Sequence, residues 1–181
     1  LLPLLSRQLR AGETEAARAN QNRAVEFALL PTLPAAAALV AVPGPIVTVL
    51  FQRGAFGADA ADATARTLAA FALGLPAYVL IKALSPGFFA REDTRTPVLV
   101  AAGAVALNLV LAAALMGPMQ QVGIALAGAI ASWVNAAALG AILMRRGHLD
   151  PDARLKRRLA LIALATAAMA AALLLGEWQL R

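Results

Sequence analysis

The sequence predicts an all-α integral membrane protein, a polytopic helix bundle with five complete transmembrane helices preceded by the end of another. Three observations carry this. Of 181 residues, 61% are hydrophobic and only 14% are charged, against roughly 25% charged in an ordinary soluble domain, and the mean hydropathy is +0.73. A helix crosses ~30 Å of hydrocarbon in about 20 apolar residues, and charge-free intervals of that size or longer separate Glu26 from Arg53, Arg95 from Arg145 and Arg158 from Glu177. Finally, the cations fall on alternate connectors, as a chain weaving through a bilayer requires.

The elements follow in order. Leu1 to Leu5 reads as the end of an apolar segment; with no Met and no charged n-region ahead of it, the chain is expected to be an internal piece of a longer one. Ser6 to Glu26 alternates Arg7, Arg10, Glu13, Glu15, Arg18, Arg23 and Glu26 among alanines, the pattern of a polar helical connector. The first span follows, and Pro31, Pro34, Pro43 and Pro45 should bend it. Gln52-Arg53-Gly54-Ala55-Phe56-Gly57 then reads as an exposed outer turn with Arg53 as a candidate loop residue and Phe56 at the interface. The second span runs from Asp62 to Ala90, interrupted by Arg66 and Lys82. Asp59 and Asp62 suit the positive end of its dipole, and Gly74 and Pro76 should loosen its middle. Thr96-Pro97 predicts a hydroxyl N-cap followed by proline at the first helical position. The long apolar interval beyond is too long for one crossing and breaks at Gly117-Pro118-Met119-Gln120-Gln121, giving helices Pro97 to Met116 and Gln120 to Met144. A basic connector, Arg145 to Arg158, leads to a last span ending near Gly176. The organisation expected is thus 1–26, helix end and connector; 27–144, four spans; 145–181, basic connector and one additional span.

Orientation follows from the cations. The connectors Ser6–Glu26, Arg91–Thr96 and Arg145–Arg158 are each separated by two spans and share one side, and they carry most of the lysines and arginines. The opposite side has Arg53, Arg66 and Arg181. By the positive-inside rule the first group is cytoplasmic. The net charge of +6 is then a topological signal, and nucleic acid is not expected as a partner.

Chemistry-bearing residues are few. With no cysteine and one histidine, His148, neither a thiolate nor a multi-histidine metal centre is expected, and no cofactor is called for. There is no G-x-S-x-G, phosphate-cradling P-loop or H-E-x-x-H, and Glu92-Asp93, adjacent on the chain, does not make an acid–base pair, so no enzyme is expected. Lys82 is the outlier: nine residues from Arg91, it lies roughly 13 Å along a helix from the cytoplasmic connector. It either faces a hydrated cavity and an anionic head group or snorkels to the interface. Arg91, Asp93 and Arg95 form either a charged gate or a solvated turn. Asn108 and Asn135, in apolar helices near Ser132 and Trp133, are candidates for substrate contact or for interhelical hydrogen bonding. Gly123, Gly128 and Gly140 read as close helix–helix contacts.

Three strings in order, Leu50-Phe51-Gln52-Arg53-Gly54-Ala55-Phe56, Ala72-Leu73-Gly74-Leu75-Pro76-Ala77 and Lys82-Ala83-Leu84-Ser85-Pro86-Gly87-Phe88-Phe89-Ala90-Arg91-Glu92-Asp93-Thr94-Arg95-Thr96-Pro97, followed by Val122-Gly123-Ile124-Ala125-Leu126, closely resemble the MurJ/MviN family of lipid II flippases. The resemblance covers essentially the whole chain. It implies a multidrug/oligosaccharidyl-lipid/polysaccharide exporter fold, two six-helix bundles with two further helices, working by alternating access. This chain would hold the end of the eighth helix, helices nine to twelve and the thirteenth. It implies that lipid II, an undecaprenyl-diphosphate-linked glycopeptide, is moved from the inner to the outer leaflet of the bacterial inner membrane. Membrane lipids and cell-wall synthesis and division proteins would be its partners. Lys82 matches a lysine of the family, and Arg91, Asp93 and Arg95 match its R-x-D-T-R-T-P turn. The cavity arginines most associated with substrate would lie upstream of Leu1. Members that bind a cation pair an Asn of the eleventh helix with an acid; here Asn108 is followed one turn later by Ala112. Because a fold does not dictate its substrate, an exporter of drugs or other lipid-linked saccharides, or a scaffold recruiting cell-wall enzymes, are the competing expectations.

Overall fold

The computed structural model describes residues 1–54 and 56–180; Ala55 of the outer turn and Arg181, counted with the outer cations, lie outside the described residues. Its elements are α1 (Leu2–Arg10), α2 (Thr14–Ala41), α3 (Pro43–Phe51), α4 (Ala58–Ala72), α5 (Leu75–Phe89), α6 (Arg95–Arg145) and α7 (Ala153–Leu180). Four stretches are long and apolar enough to cross a membrane: Thr14–Ala41, Ala58–Phe89, Arg95–Arg145 and Ala153–Gln179. The protein is therefore an all-α, multi-pass membrane protein.

The polar connector is helical, and α2 carries it into the first span without interruption. Gly12, at φ 76, makes a turn within the connector, between α1 and α2, and Asn20 Nδ2 donates to Gln8 Oε1 at 2.9 Å across that turn. Pro31 and Pro34 lie inside α2, which ends only at Val42 (φ −130, ψ 51), the residue before Pro43. A residue preceding proline is driven out of the α region, and the proline then opens the next helix. The second span breaks in its middle between α4 and α5, where Gly74 and Pro76 were expected to loosen it.

At 51 residues α6 would rise roughly 76 Å if straight, far more than one crossing needs. It is not straight. Gln120 has φ 50 and ψ −131, outside the helical region, so the segment is two arms. The arms return alongside each other: Gly123 packs on Leu115, and Arg146 at one end pairs with Asp93 at the other. A Cβ on Gly123 would overlap the Leu115 carbonyl, so glycine is required for that approach. With α6 folded back, the four apolar stretches hold five segments of crossing length among the described residues.

Packing between the spans uses small residues, as expected where lipid removes the hydrophobic drive and close backbone contact supplies dispersion energy instead. Ala125, Ala127, Ala129 and Ala131 of α6 are buried, and a Cβ on Gly74 would stand 3.0 Å from the Ala129 Cα. Gly128 sits under Tyr78, whereas Gly140 has only ordinary contact with Leu84. Larger side chains gather at the end carrying the basic connectors, where Val25, Leu29, Leu84, Phe88, Leu139, Leu143, Leu149 and Leu155 form one core. At the other end Val47, Ala61 and Ala65 form a smaller cluster, and Phe56 packs against it. Phe56 is thus partly buried, packed beneath the turn against residues of α3 and α4. Outward-facing Leu99, Leu109, Val110 and Leu164 give the exterior the apolar character hydrocarbon demands.

Candidate functional site

Asn108 and Asn135 come from opposite arms of α6, 27 positions apart, and the reversal at Gln120 brings them to one cavity of about 210 Å³. Tyr78 of α5 and Ser132 complete its polar lining, and alanines, Val105 and Gly128 make the rest. Ser132 Oγ donates to the Gly128 carbonyl at 2.8 Å, back along its own helix. The side-chain oxygens of both asparagines are buried and unpartnered among the described residues. The interhelical hydrogen bond open to them is therefore not what occupies those acceptors. A buried amide oxygen without a donor costs on the order of 1–3 kcal/mol, and the cavity has room for a few water-sized groups at ~30 Å³ each. Tyr78 carries the phenolic donor nearest by, and no sequence motif pointed to it; its spacing four before Lys82 places both on one face of α5. The donors here are neutral amide, phenol and hydroxyl groups. Ala112 stands one turn after Asn108, so the carboxylate that the resemblance attaches to a cation site is missing, and the pocket is a neutral hydrogen-bonding site.

Lys82 does not line that cavity. It is exposed on α5, one turn from Tyr78, with no hydrogen bond or ion pair among the described residues, while its neighbours Ala83 and Leu84 are buried. The carbonyl beside it, that of Ala83, accepts from Gln21 Nε2 at 2.7 Å, locking α5 to α2 at that level.

Arg91 and Asp93 gather at the basic end, with Arg95 exposed beside them. Here the expected cap is corrected. Helix α6 begins at Arg95, Thr94 occupies the N-cap without a side-chain bond, and Thr96 is a donor rather than the capping acceptor. Asp93 does the capping: Oδ1 accepts the Thr96 N–H at 3.0 Å and Oδ2 the Thr96 hydroxyl at 2.6 Å. A carboxylate, charged and three residues upstream, outcompetes a neutral hydroxyl for the first free N–H groups of the helix. Oδ2 also pairs with Arg146 Nη1 at 2.5 Å, and Arg146 lies over the Phe88 ring, 5.9 Å from its centroid. The Thr96 hydroxyl and N–H, with Arg146, hold the Asp93 carboxyl well below the usual carboxylate range. Arg146 was not legible as a partner because 53 residues separate the two. Arg91 Nη1 donates to the Gly87 carbonyl at 2.7 Å. Burial and, second, Arg18 lower the proton affinity of Arg91. Burial, then Arg91, Arg146 and Arg18, lower that of His148.

Arg53 is brought to none of these groups. It is exposed at the other end of the molecule, where its side chain makes, among the described residues, a marginal hydrogen bond of 3.5 Å to the Val49 carbonyl. Between α2, the α4–α5 break, the second arm of α6 and α7 lies a largely apolar groove of about 740 Å³, lined by Leu33, Val40, Leu126, Trp133 and Leu174 among others. Trp133 Nε1 donates across it to the Leu73 carbonyl, freed by the helix break, at 2.9 Å.

The family model described as lipid II flippase MurJ matches residues 1–179. A probable lipid II flippase MurJ of Rhizobium meliloti (strain 1021) is 50% identical over 98% of this chain and 34% of the relative. One from Rhizobium tropici is 48% identical over 93% of this chain and 32% of its own length. Another from Vibrio cholerae is 32% identical over 99% of this chain and 34% of the relative. The chain spans about a third of the length of these curated relatives. Matched along nearly all of its residues to that one family, the chain belongs to the lipid II flippase MurJ family.

Proposed function

We propose that this chain is the part of a lipid II flippase that contributes helices to the second bundle and one further helix, and that the protein moves an undecaprenyl-diphosphate-linked glycopeptide outward across the bacterial inner membrane by alternating access. The observation that carries the reading is the match of residues 1–179 to the flippase family. Three features of the bundle support it. A diphosphate cannot enter hydrocarbon without a cationic, hydrated path, and Lys82 is a membrane-level cation with no partner among the described residues. The Asn108–Asn135 cavity is lined in part by amide, phenol and hydroxyl groups, chemistry that suits the hydroxyls and amides a glycopeptide carries in abundance. The apolar groove beside α7 suits a polyprenyl chain. Arg91, Asp93 and Arg95 serve the connecting turn: with Asp93 tied to Arg146, the two ends of the α6 hairpin move together, and breaking that tie releases one arm from the other. Rocking between states then needs only that substrate bind them unequally. The reading makes the protein a transporter without catalysis, with its basic connectors in the cytoplasm.

The test is depletion of the full-length protein in cells with no redundant flippase, followed by treatment with an enzyme that cleaves lipid II only from the outer face. Lipid II should accumulate uncleaved. Cleavage at the undepleted level would sink the proposal.

A further inference from the structure

At the basic end, two chain reversals and one helix bring guanidinium groups to the same place. Glu92 (φ 61) and Gly147 (φ 67) turn in the left-handed region and set the α5–α6 and α6–α7 connectors side by side, with Arg91 and Arg146 at the turns and His148 just after. Arg18 of α2 reaches into the same space: its Nη2 lies 3.5 Å from where a Cβ on Gly147 would stand. One turn along α2, Gln21 packs on Gly87, the residue whose carbonyl holds Arg91. Of these, Glu92 and Arg146 are exposed and the others at least partly buried.

The charges do not balance. Asp93 is the carboxylate bonded within the group, and it is committed to Arg146 and Thr96. Arg18 and Arg91 have no acidic partner among the described residues, and Arg18 makes no hydrogen bond there either. Capping of helix C-terminal carbonyls accounts for Arg91, which donates to Gly87. It does not account for Arg18, which stands at the Gly147 turn near enough for its charge to act on Arg91, with no acidic partner among the described residues to offset the repulsion. A phosphate reverses the sign of that interaction, and the planar fork of arginine matches its oxygens.

We propose that Arg18, Arg91 and His148, with Arg146 at the rim, form a binding site for a phosphate group, carried by an anionic phospholipid of the adjacent leaflet or free in solution. The proposal rests on this cluster of cations and stands whatever the transported substrate is.

The full-length protein in phosphatidylcholine nanodiscs, titrated calorimetrically with pyrophosphate, tests this with two variants of equal charge loss. R18Q removes a side chain that makes no hydrogen bond, and R23Q removes an exposed arginine of the same helix outside the cluster. Pyrophosphate should bind the parent protein, bind R18Q more weakly by roughly tenfold or more, and bind R23Q within about twofold of the parent. Without anion, R18Q should melt no lower than the parent, since it loses repulsion and no bond. No binding to the parent, equal binding to R18Q, or equal weakening by R23Q each overturns the site. Repeating the titration with phosphatidylglycerol in the nanodisc separates the sources: suppressed pyrophosphate binding assigns the site to the lipid head group, and unchanged binding assigns it to free phosphate.

Discussion

Asp93 serves three donors with one carboxylate, joining the cap of α6 to the residue that follows its far end. Replacing it by Asn removes the charge that makes those bonds strong, so D93N should lower the melting temperature of the full-length protein measurably, whereas the exposed neighbour Glu92→Gln should not. The pH dependence has a defined sign. A carboxyl held below its ordinary value favours the folded state above the unfolded pKa of about 3.9, and that contribution is lost as pH falls toward the held value. His148 acts in a higher window. Its proton affinity is lowered by burial and by Arg91, Arg146 and Arg18, so folding disfavours its protonation and stability falls on acidification below about pH 6.5. Melting curves at pH 7.5 and 5.5 should show a drop that H148Q reduces; an equal drop in H148Q would contradict the assignment. For Lys82, K82A should cut transport by roughly tenfold or more while leaving the melting temperature near that of the parent, and K82R should restore part of the activity, because the group is exposed, unpartnered and cationic. Silence of K82A in a flipping assay would return Lys82 to simple snorkelling.

Helix breaks and glycine contacts decide how the elements fit. The α6 reversal depends on Gly123 lying against the Leu115 backbone, where any Cβ would collide. G123A should destabilise the hairpin by roughly 1–3 kcal/mol, the range for forced overpacking, and G140A, with Leu84 at 3.8 Å, should change stability by under about 0.5 kcal/mol. Chemical denaturation of the two variants side by side checks the contrast. The last helix is tied to the bundle at one end by Asn22 Nδ2 donating to the Asp150 carbonyl at 2.7 Å and by Glu26 facing Arg154 and Arg158 at 4.0 and 3.8 Å. The ion pairs are long and their arginines exposed, so E26Q should matter little. N22L, which leaves a connector carbonyl without its donor, should raise amide exchange over residues 147–152, and unchanged exchange there would remove Asn22 from that role. These ties were not legible beforehand, because each joins residues far apart in the chain.

At the scale of the whole molecule, what the charge spacing could reveal was where the long apolar segments lie and in what order. A charge in hydrocarbon is costly enough that spans are marked by its absence, and Gly117 to Gln121 marked where the longest interval had to turn. The all-α, multi-pass architecture and the family were legible for the same reason: they rest on strings and spacings local to the chain. Convergence was not. That Asn108 and Asn135 share a cavity with Tyr78, that Asp93 rather than Thr96 caps α6, and that Arg18 reaches the Gly147 turn all depend on how separated elements pack. The chain spans about a third of its curated relatives' length, so its cavity wall is read as one side of a transport path. The most direct measurement of the central claim is reconstitution of the full-length protein in proteoliposomes carrying fluorescent lipid II in one leaflet. The account predicts protein-dependent movement of lipid II to the other leaflet, faster than that of a phospholipid labelled with the same fluorophore. Movement no faster than in protein-free vesicles, or equal for both lipids, would contradict it.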